Sequence, residues 1–238
     1  MAKHMHEFVK NIKAVLLDVD DTILDFSLCS KEDIKLCLNQ HGIPYSDHLF
    51  ETFERHNSKY WQDIEAGRLT VEELRKIRWT GIFRELGIEA DGQKFELDFI
   101  SHLKDFAIPM EGARELMQYL STRYRIYIVS NATHEQQRRR LGDAGLEEYI
   151  DDMFTSLDIG FVKPTKEYFD VCFSKIDPPC KPSETIIIGD SLTADIRGAI
   201  DYGIHTCWFN RHGTPQPADM HIDFTITALT DVIGDRFL

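Results

Sequence analysis

Residues 14–22 read Ala-Val-Leu-Leu-Asp-Val-Asp-Asp-Thr. An unbroken apolar run that ends abruptly in carboxylates describes a strand buried on both faces whose carboxyl end meets a polar rim. The same form recurs at 126–129 before Ser130 and Asn131, at 185–188 before Gly189 and Asp190, and at 205–209, with a weaker run at 222–226. Between the later runs, helical periodicity falls at 113–120, 134–141, 168–176 and 194–202. Strand and helix alternating in this way predict an α/β chain with a doubly wound parallel sheet and right-handed crossovers.

Between 27 and 106 the pattern changes to four helical stretches with no strand signal among them. Leu49, Phe50 and Phe53 with Tyr60 and Trp61 form one apolar stripe, and Leu74, Ile77, Ile82, Phe83 and Leu86 form others. Breaks fall at Gly42-Ile-Pro44, Gly67 and Gly87, and Thr70 with Glu73 spells a capping box. The division expected is a core of residues 1–25 and 107–238, interrupted by an all-helical domain at 26–106.

Composition narrows the functional classes. The 238 residues are 42% hydrophobic and 28% charged, as in ordinary globular proteins. A net charge of −13 argues against non-specific nucleic-acid or anionic-membrane binding, which needs clustered Lys and Arg. The one basic cluster, Arg138, Arg139 and Arg140, lies on an expected helix and reads as a solvated face. The five cysteines, Cys29, Cys37, Cys172, Cys180 and Cys207, are scattered and never spaced as CxxC, which suggests reduced thiols and a cytoplasmic setting. Met1 to Lys10 lacks a long apolar run, so nothing there marks secretion, and no stretch has the length of a membrane span.

Four strand ends carry chemistry. Asp18 and Asp20 would meet where open α/β sheets bind ligands, and two crowded carboxylates require a cation or a shared proton. An Asp-rich turn is the alternative. Asp190, Ser191 and Asp195 add carboxylates at a second strand end, giving hard oxygen donors of the kind Mg²⁺ prefers. Helix capping by Asp190 and Ser191 is compatible with that. Ser130 and Asn131 precede a helix, where an anion finds backbone donors, although a plain N-cap explains them as well. Lys163, in Gly160-Phe-Val-Lys163-Pro164, is a single lysine whose meaning depends on its neighbours.

In this order, Asp18-Val-Asp20-Asp-Thr22, Ser130, Lys163-Pro164 and Gly189-Asp190-Ser-Leu-Thr-Ala-Asp195 resemble the DxDxT, Ser/Thr, Lys and GDxxxxD motifs of the haloacid dehalogenase superfamily. The resemblance runs from about residue 12 to the C-terminus. It implies an Mg²⁺-dependent phosphatase with a helical cap. Asp18 would be the nucleophile that forms an aspartyl-phosphate, and Asp20 the proton donor and acceptor. Asp18, the main-chain carbonyl of Asp20 and Asp190 would hold the metal. Ser130, Asn131 and Lys163 would bind the phosphoryl group, with Thr22, Ser191 and Asp195 in support. Dehalogenases of the superfamily lack the acid matching Asp20, and its sugar-phosphate mutases usually carry Val where Thr22 stands. Phosphatase is therefore the reading favoured by resemblance.

The stretch Thr206-Cys-Trp208-Phe-Asn210-Arg-His212, with Asp25-Phe26, is similar to that of bacterial pyrimidine 5′-nucleotidases in this superfamily. This implies a nucleoside 5′-monophosphate as the small phosphomonoester substrate; separately, the chain is expected to act as a monomer or weak homodimer. A β-phosphoglucomutase-like mutase, or a phosphatase for a sugar phosphate or phosphoglycolate, is the alternative. Trp208 and Phe209 themselves read as a buried strand end rather than as direct substrate contacts.

Overall fold

The computed structural model describes residues 11–234; the N-terminal stretch read above for its lack of an apolar run lies outside them. The chain divides into two compact units. One is formed by the residues up to Asp25 and from Pro109 onward, the other by Phe26–Ile108.

The first unit is built on six parallel strands: β1 (Ala14–Leu17), β2 (Arg125–Ser130), β3 (Asp152–Thr155), β4 (Thr185–Gly189), β5 (His205–Phe209) and β6 (Phe224–Ile226), in the spatial order β3-β2-β1-β4-β5-β6. All four residues of β1 are fully buried, as the unbroken apolar run requires. Strand order reverses at β1, the place where doubly wound sheets open a crevice for ligands. Register then sets the site: Leu17 lies beside Ile128 on one side and Ile188 on the other. The residues that follow, Asp18, Ser130 and Asp190, are thereby brought to one rim.

β3 has no counterpart among the expected strands. It is a four-residue edge strand, Asp-Met-Phe-Thr, of which only Phe154 and Thr155 are buried, so its apolar signal is short. The weak run at 222–226 contributes only its last three residues to β6, the opposite edge. The helix expected at 194–202 starts instead as a π-helical turn, Leu192–Arg197, in which the Ile196 amide donates to the Ser191 carbonyl at 3.1 Å. Such turns concentrate at functional sites.

The second unit contains α1 (Phe26–Gln40), α2 (Asp47–Glu65), α3 (Val71–Leu86) and α4 (Gly92–His102). α3 begins with the capping box formed by Thr70 and Glu73 and ends at Gly87, whose φ of 64° is the left-handed cap that glycine adopts without strain. Its core centres on Trp79, fully buried among Phe53, Phe83, Phe95 and Phe99. The buried Arg78 donates to Glu96 at 2.6 Å and to Asn57 at 2.8 Å, so its charge is paired within the helices. Ile77, expected on an apolar stripe, is 40% exposed: Trp79, two residues on and therefore about 200° around α3, takes the inward position. No described helix is long and apolar enough to cross a membrane.

Candidate active site

Asp18 leaves the carboxyl end of β1 with its amide donating to the Ile188 carbonyl at 3.0 Å, which extends the ladder one residue beyond the strand. Lys163 is 2% exposed, and its Nζ donates to Asp18 Oδ1 at 2.7 Å, Asp195 Oδ1 at 2.7 Å and the Val129 carbonyl at 2.8 Å. An ammonium has three protons, and each is used. The neighbouring carboxylates hold the lysine firmly charged, above its ordinary range, despite its burial.

Lys163 comes from an irregular segment, and Asn131 fixes it there. Asn131 Oδ1 accepts from the Lys163 amide at 2.8 Å, and Asn131 Nδ2 donates to the Lys163 carbonyl at 3.1 Å. The Asn131 side chain is thus engaged with the lysine's main chain. Ser130 Oγ accepts from the Ala132 amide at 3.1 Å and from Gln137 Nε2 at 2.9 Å.

Asp18, Asp190 and Asp195 each bring a carboxylate oxygen to within 4.8 Å of the others. One lysine cannot balance three carboxylates, and burial together with repulsion from neighbouring carboxylates raises two of them. Burial raises the Asp18 carboxyl to about 7, with Lys163 opposing and Asp195 and Asp20 reinforcing the rise. Burial, then the charges of Asp18 and Asp195, push Asp190 well above the usual carboxylate range. Thr22 Oγ1 lies 3.4 Å from Asp190 Oδ1, and the Ser191 amide donates to Asp195 Oδ2 at 3.1 Å. Ser191 Oγ caps the π turn by accepting from the Ala194 amide at 3.0 Å.

Asp20 stands apart from this cluster. Its Oδ2 accepts from Gln137 Nε2 at 2.6 Å and its Oδ1 from Arg140 Nη1 at 2.5 Å. Both partners are fully buried on α6 (His134–Asp143), the helix after β2; the short α5 (Ala113–Ser121) precedes β2. This corrects the solvated-face reading of the basic cluster. Arg138 and Arg139 are exposed beside Glu147 and Asp143, whereas Arg140 is at 0% exposure against Asp20.

Further partners bear on the rim. The Trp208 indole donates to the Asp190 carbonyl at 2.9 Å, so this strand-end tryptophan is buried and also orients the acid loop. Arg211 reaches Asp21 at 2.7 Å and Asp25 at 3.1 Å. Asp21, at φ 61°, turns the chain after Asp20. A cavity of about 90 Å³ opens beside Asp21 and Asp190, lined also by Trp208, Asn210, Arg211 and His212.

Fold and site together define an α/β protein with a carboxylate-rich site at the switch point of a doubly wound sheet, one buried lysine at its centre. The chain belongs to the haloacid dehalogenase-like hydrolase family, whose model matches residues 12–203. It is accordingly a hydrolase, with phosphatases and nucleotidases among its relatives. It is 35% identical to the HAD-hydrolase YfnB of Bacillus subtilis over 94% of this chain and 95% of that protein. A crystal structure of YfnB bound to magnesium, described as revealing interdomain movement, superposes with a TM-score of 0.88 over 93% of this chain and 96% of that one. The pyrimidine 5′-nucleotidase YjjG of Escherichia coli is 26% identical over 92% of this chain and 95% of its own length. The pyrimidine 5′-nucleotidase PynA of Streptococcus pneumoniae is 30% identical over 84% of each.

Proposed function

We propose that this enzyme hydrolyses small phosphomonoesters through an aspartyl-phosphate on Asp18, with pyrimidine nucleoside 5′-monophosphates as its substrates. The observation that carries the chemistry is the pairing of a buried, lysine-held Asp18 with a second carboxylate, Asp20, two residues on and held separately by Gln137 and Arg140. The substrate class rests on the two relatives named pyrimidine 5′-nucleotidases.

The donor set fits a divalent cation. Three clustered carboxylates and one lysine leave two negative charges, and all the donors are hard oxygens. Asp18, Asp190 and the Asp20 carbonyl would hold Mg²⁺, with Asp195 beside them. Bound there, the ion supplies charge neutralisation at the phosphoryl oxygens.

The residues divide the remaining work. The Asp18 carboxylate attacks phosphorus, and the P–O bond to the leaving group breaks. Asp20, carrying a proton, gives it to the departing alkoxide. Water then attacks the acyl phosphate, Asp20 takes its proton, phosphate leaves and the Asp18 carboxylate is restored. As found, Asp20 accepts from both Gln137 and Arg140, the arrangement suited to the base of the second step. Lys163 faces the nucleophile and balances charge gathering on the transferred group, with Ser130 Oγ at the same rim. In the same reading the helical unit 26–108 acts as the cap that governs leaving-group choice, and the enzyme works in the cytoplasm as a monomer or weak homodimer.

Asp18→Asn tests the chemistry, because the amide keeps the shape and cannot attack. Phosphate release from dUMP with Mg²⁺ should fall by about two orders of magnitude or more, with circular dichroism unchanged. Retention of more than about 1% of the wild-type rate would remove Asp18 from the nucleophile's role.

A further inference from the structure

The helical unit holds a second cluster of ligating side chains, unrelated to the phosphomonoester chemistry. Asp33 and Cys37 stand four residues apart on α1, hence on one face, and both are fully buried. His102, the last residue of α4, meets them from the neighbouring helix with its side chain 27% exposed. Cys37 Sγ lies 3.4 Å from Asp33 Oδ1 and 3.5 Å from His102 Nδ1, and His102 Nδ1 lies 3.9 Å from Asp33 Oδ1.

We propose that Asp33, Cys37 and His102 form a binding site for a zinc-class divalent cation that ties α1 to the end of α4. The geometry points to this directly. Zinc bonds of about 2.3 Å to sulfur and 2.0–2.2 Å to nitrogen and oxygen, set tetrahedrally, separate neighbouring donors by about 3.4–3.6 Å. The two edges to sulfur match to within about 0.2 Å, and the nitrogen–oxygen edge is about half an ångström long. The remaining carboxylate oxygen, Asp33 Oδ2, is buried without a hydrogen-bond partner. A buried oxygen left in that state is costly, and it is available, as is water, to complete the coordination.

Charge agrees. Arg78, the buried cation among the described residues of this unit, gives its hydrogen bonds to Glu96 and Asn57, not to Asp33. With Asp33 ionised, Cys37 as thiolate and His102 neutral, a divalent ion makes the site electrically neutral, the condition for burying it. Binding forms the metal–sulfur bond and releases to solvent the thiol proton and the proton that burial keeps on the Asp33 carboxyl. Donor chemistry separates this site from the acidic one: sulfur and imidazole select zinc-class ions, whereas the oxygens around Asp18 select Mg²⁺. The part-exposed imidazole leaves a path from solvent.

The test uses the full chain with Mg²⁺ in excess, titrated with Co²⁺ as a spectroscopic stand-in and separately with Zn²⁺. One equivalent of Co²⁺ should give a thiolate-to-cobalt charge-transfer band. The band should persist in Asp18→Asn and vanish in Cys37→Ser. His102→Gln, at a part-exposed position that tolerates change, should keep the fold by circular dichroism and lose about tenfold or more in Co²⁺ affinity. Zn²⁺ should raise the thermal midpoint of the wild type and not that of His102→Gln. Absence of a sulfur band in the wild type, or its survival in Cys37→Ser, overturns the proposal, as does Co²⁺ affinity in His102→Gln equal to the wild type.

Discussion

Asp18 sits under opposing influences, and its titration makes them measurable. Burial raises its carboxyl from the ordinary 3.8 to about 7, against the attraction of Lys163. Between those values the folded, metal-free protein keeps a proton that the unfolded chain has lost. The stabilisation is complete below 3.8 and disappears as pH rises through about 7, and Asp190 acts in the same sense. In EDTA, the thermal midpoint of the wild type should therefore fall relative to Asp18→Asn between about pH 5 and about pH 8. A difference that stays flat across that range would show that the carboxyl titrates normally. At this scale the sequence was informative about acids and poor about their partners. Asp18, Asp190 and Lys163 announce themselves by position at strand ends or beside Pro164. Gln137 and Arg140 do not, because a polar residue carries no mark of burial. Their one available signal was spacing: Gln137, Arg140 and Leu141 share a face of α6 and are all buried, while Arg138 and Arg139 face out.

The elements carry their own constraint, clearest at the end of β4. A Cβ added at Gly189 would lie 2.3 Å from Asp195 Oδ2 and 2.7 Å from Asp195 Cβ, nearer than real atoms approach. Only glycine lets Asp195 fold back over the strand end and accept from both Lys163 and the Ser191 amide. Gly189→Ala should displace Asp195, cost about 1–3 kcal/mol of stability and lower kcat/KM about tenfold or more, since a misplaced site residue is felt in rate. Thermal melting and phosphate release check it, and near-normal activity would mean that the loop relaxes without disturbing Lys163. Elements buried on both faces were legible: β1, β4 and β5 stand where unbroken apolar runs placed them. β3 was not, because an edge strand of four residues with two polar ones lacks such a run. Nor was the π turn after Ser191, because a shift in hydrogen-bond register leaves hydrophobic periodicity almost unchanged over six residues.

At the scale of the whole molecule, the two units have separate cores. The carboxylates, Lys163, Ser130 and the Arg211 cavity all belong to the unit of the parallel sheet, while Phe26–Ile108 encloses its own aromatic core. In the proposed function, the groups around Asp18 address a phosphoryl group that every phosphomonoester shares, so on that reading they cannot tell one substrate from another. Discrimination has to arise from side chains that meet the leaving group. In the proposed reading these are the helical unit and the segment from Trp208 to His212. Tyr60, read from the sequence as part of an apolar stripe, is occupied in helix packing: its hydroxyl contacts His56 and lies 3.0 Å from where a Cβ on Gly81 would stand. A panel of dUMP, dTMP, UMP, AMP, glucose 6-phosphate and phosphoglycolate, compared by kcat/KM under identical Mg²⁺, measures that discrimination. If the nucleotidase reading holds, groups that pair with a pyrimidine would be left unpaired by a sugar phosphate, so the pyrimidine nucleotides should lead by about tenfold or more. The difference should appear among leaving groups while inhibition by free phosphate is common to all of them. A lead for glucose 6-phosphate or phosphoglycolate would overturn the nucleotidase reading and leave hydrolysis by Asp18 intact.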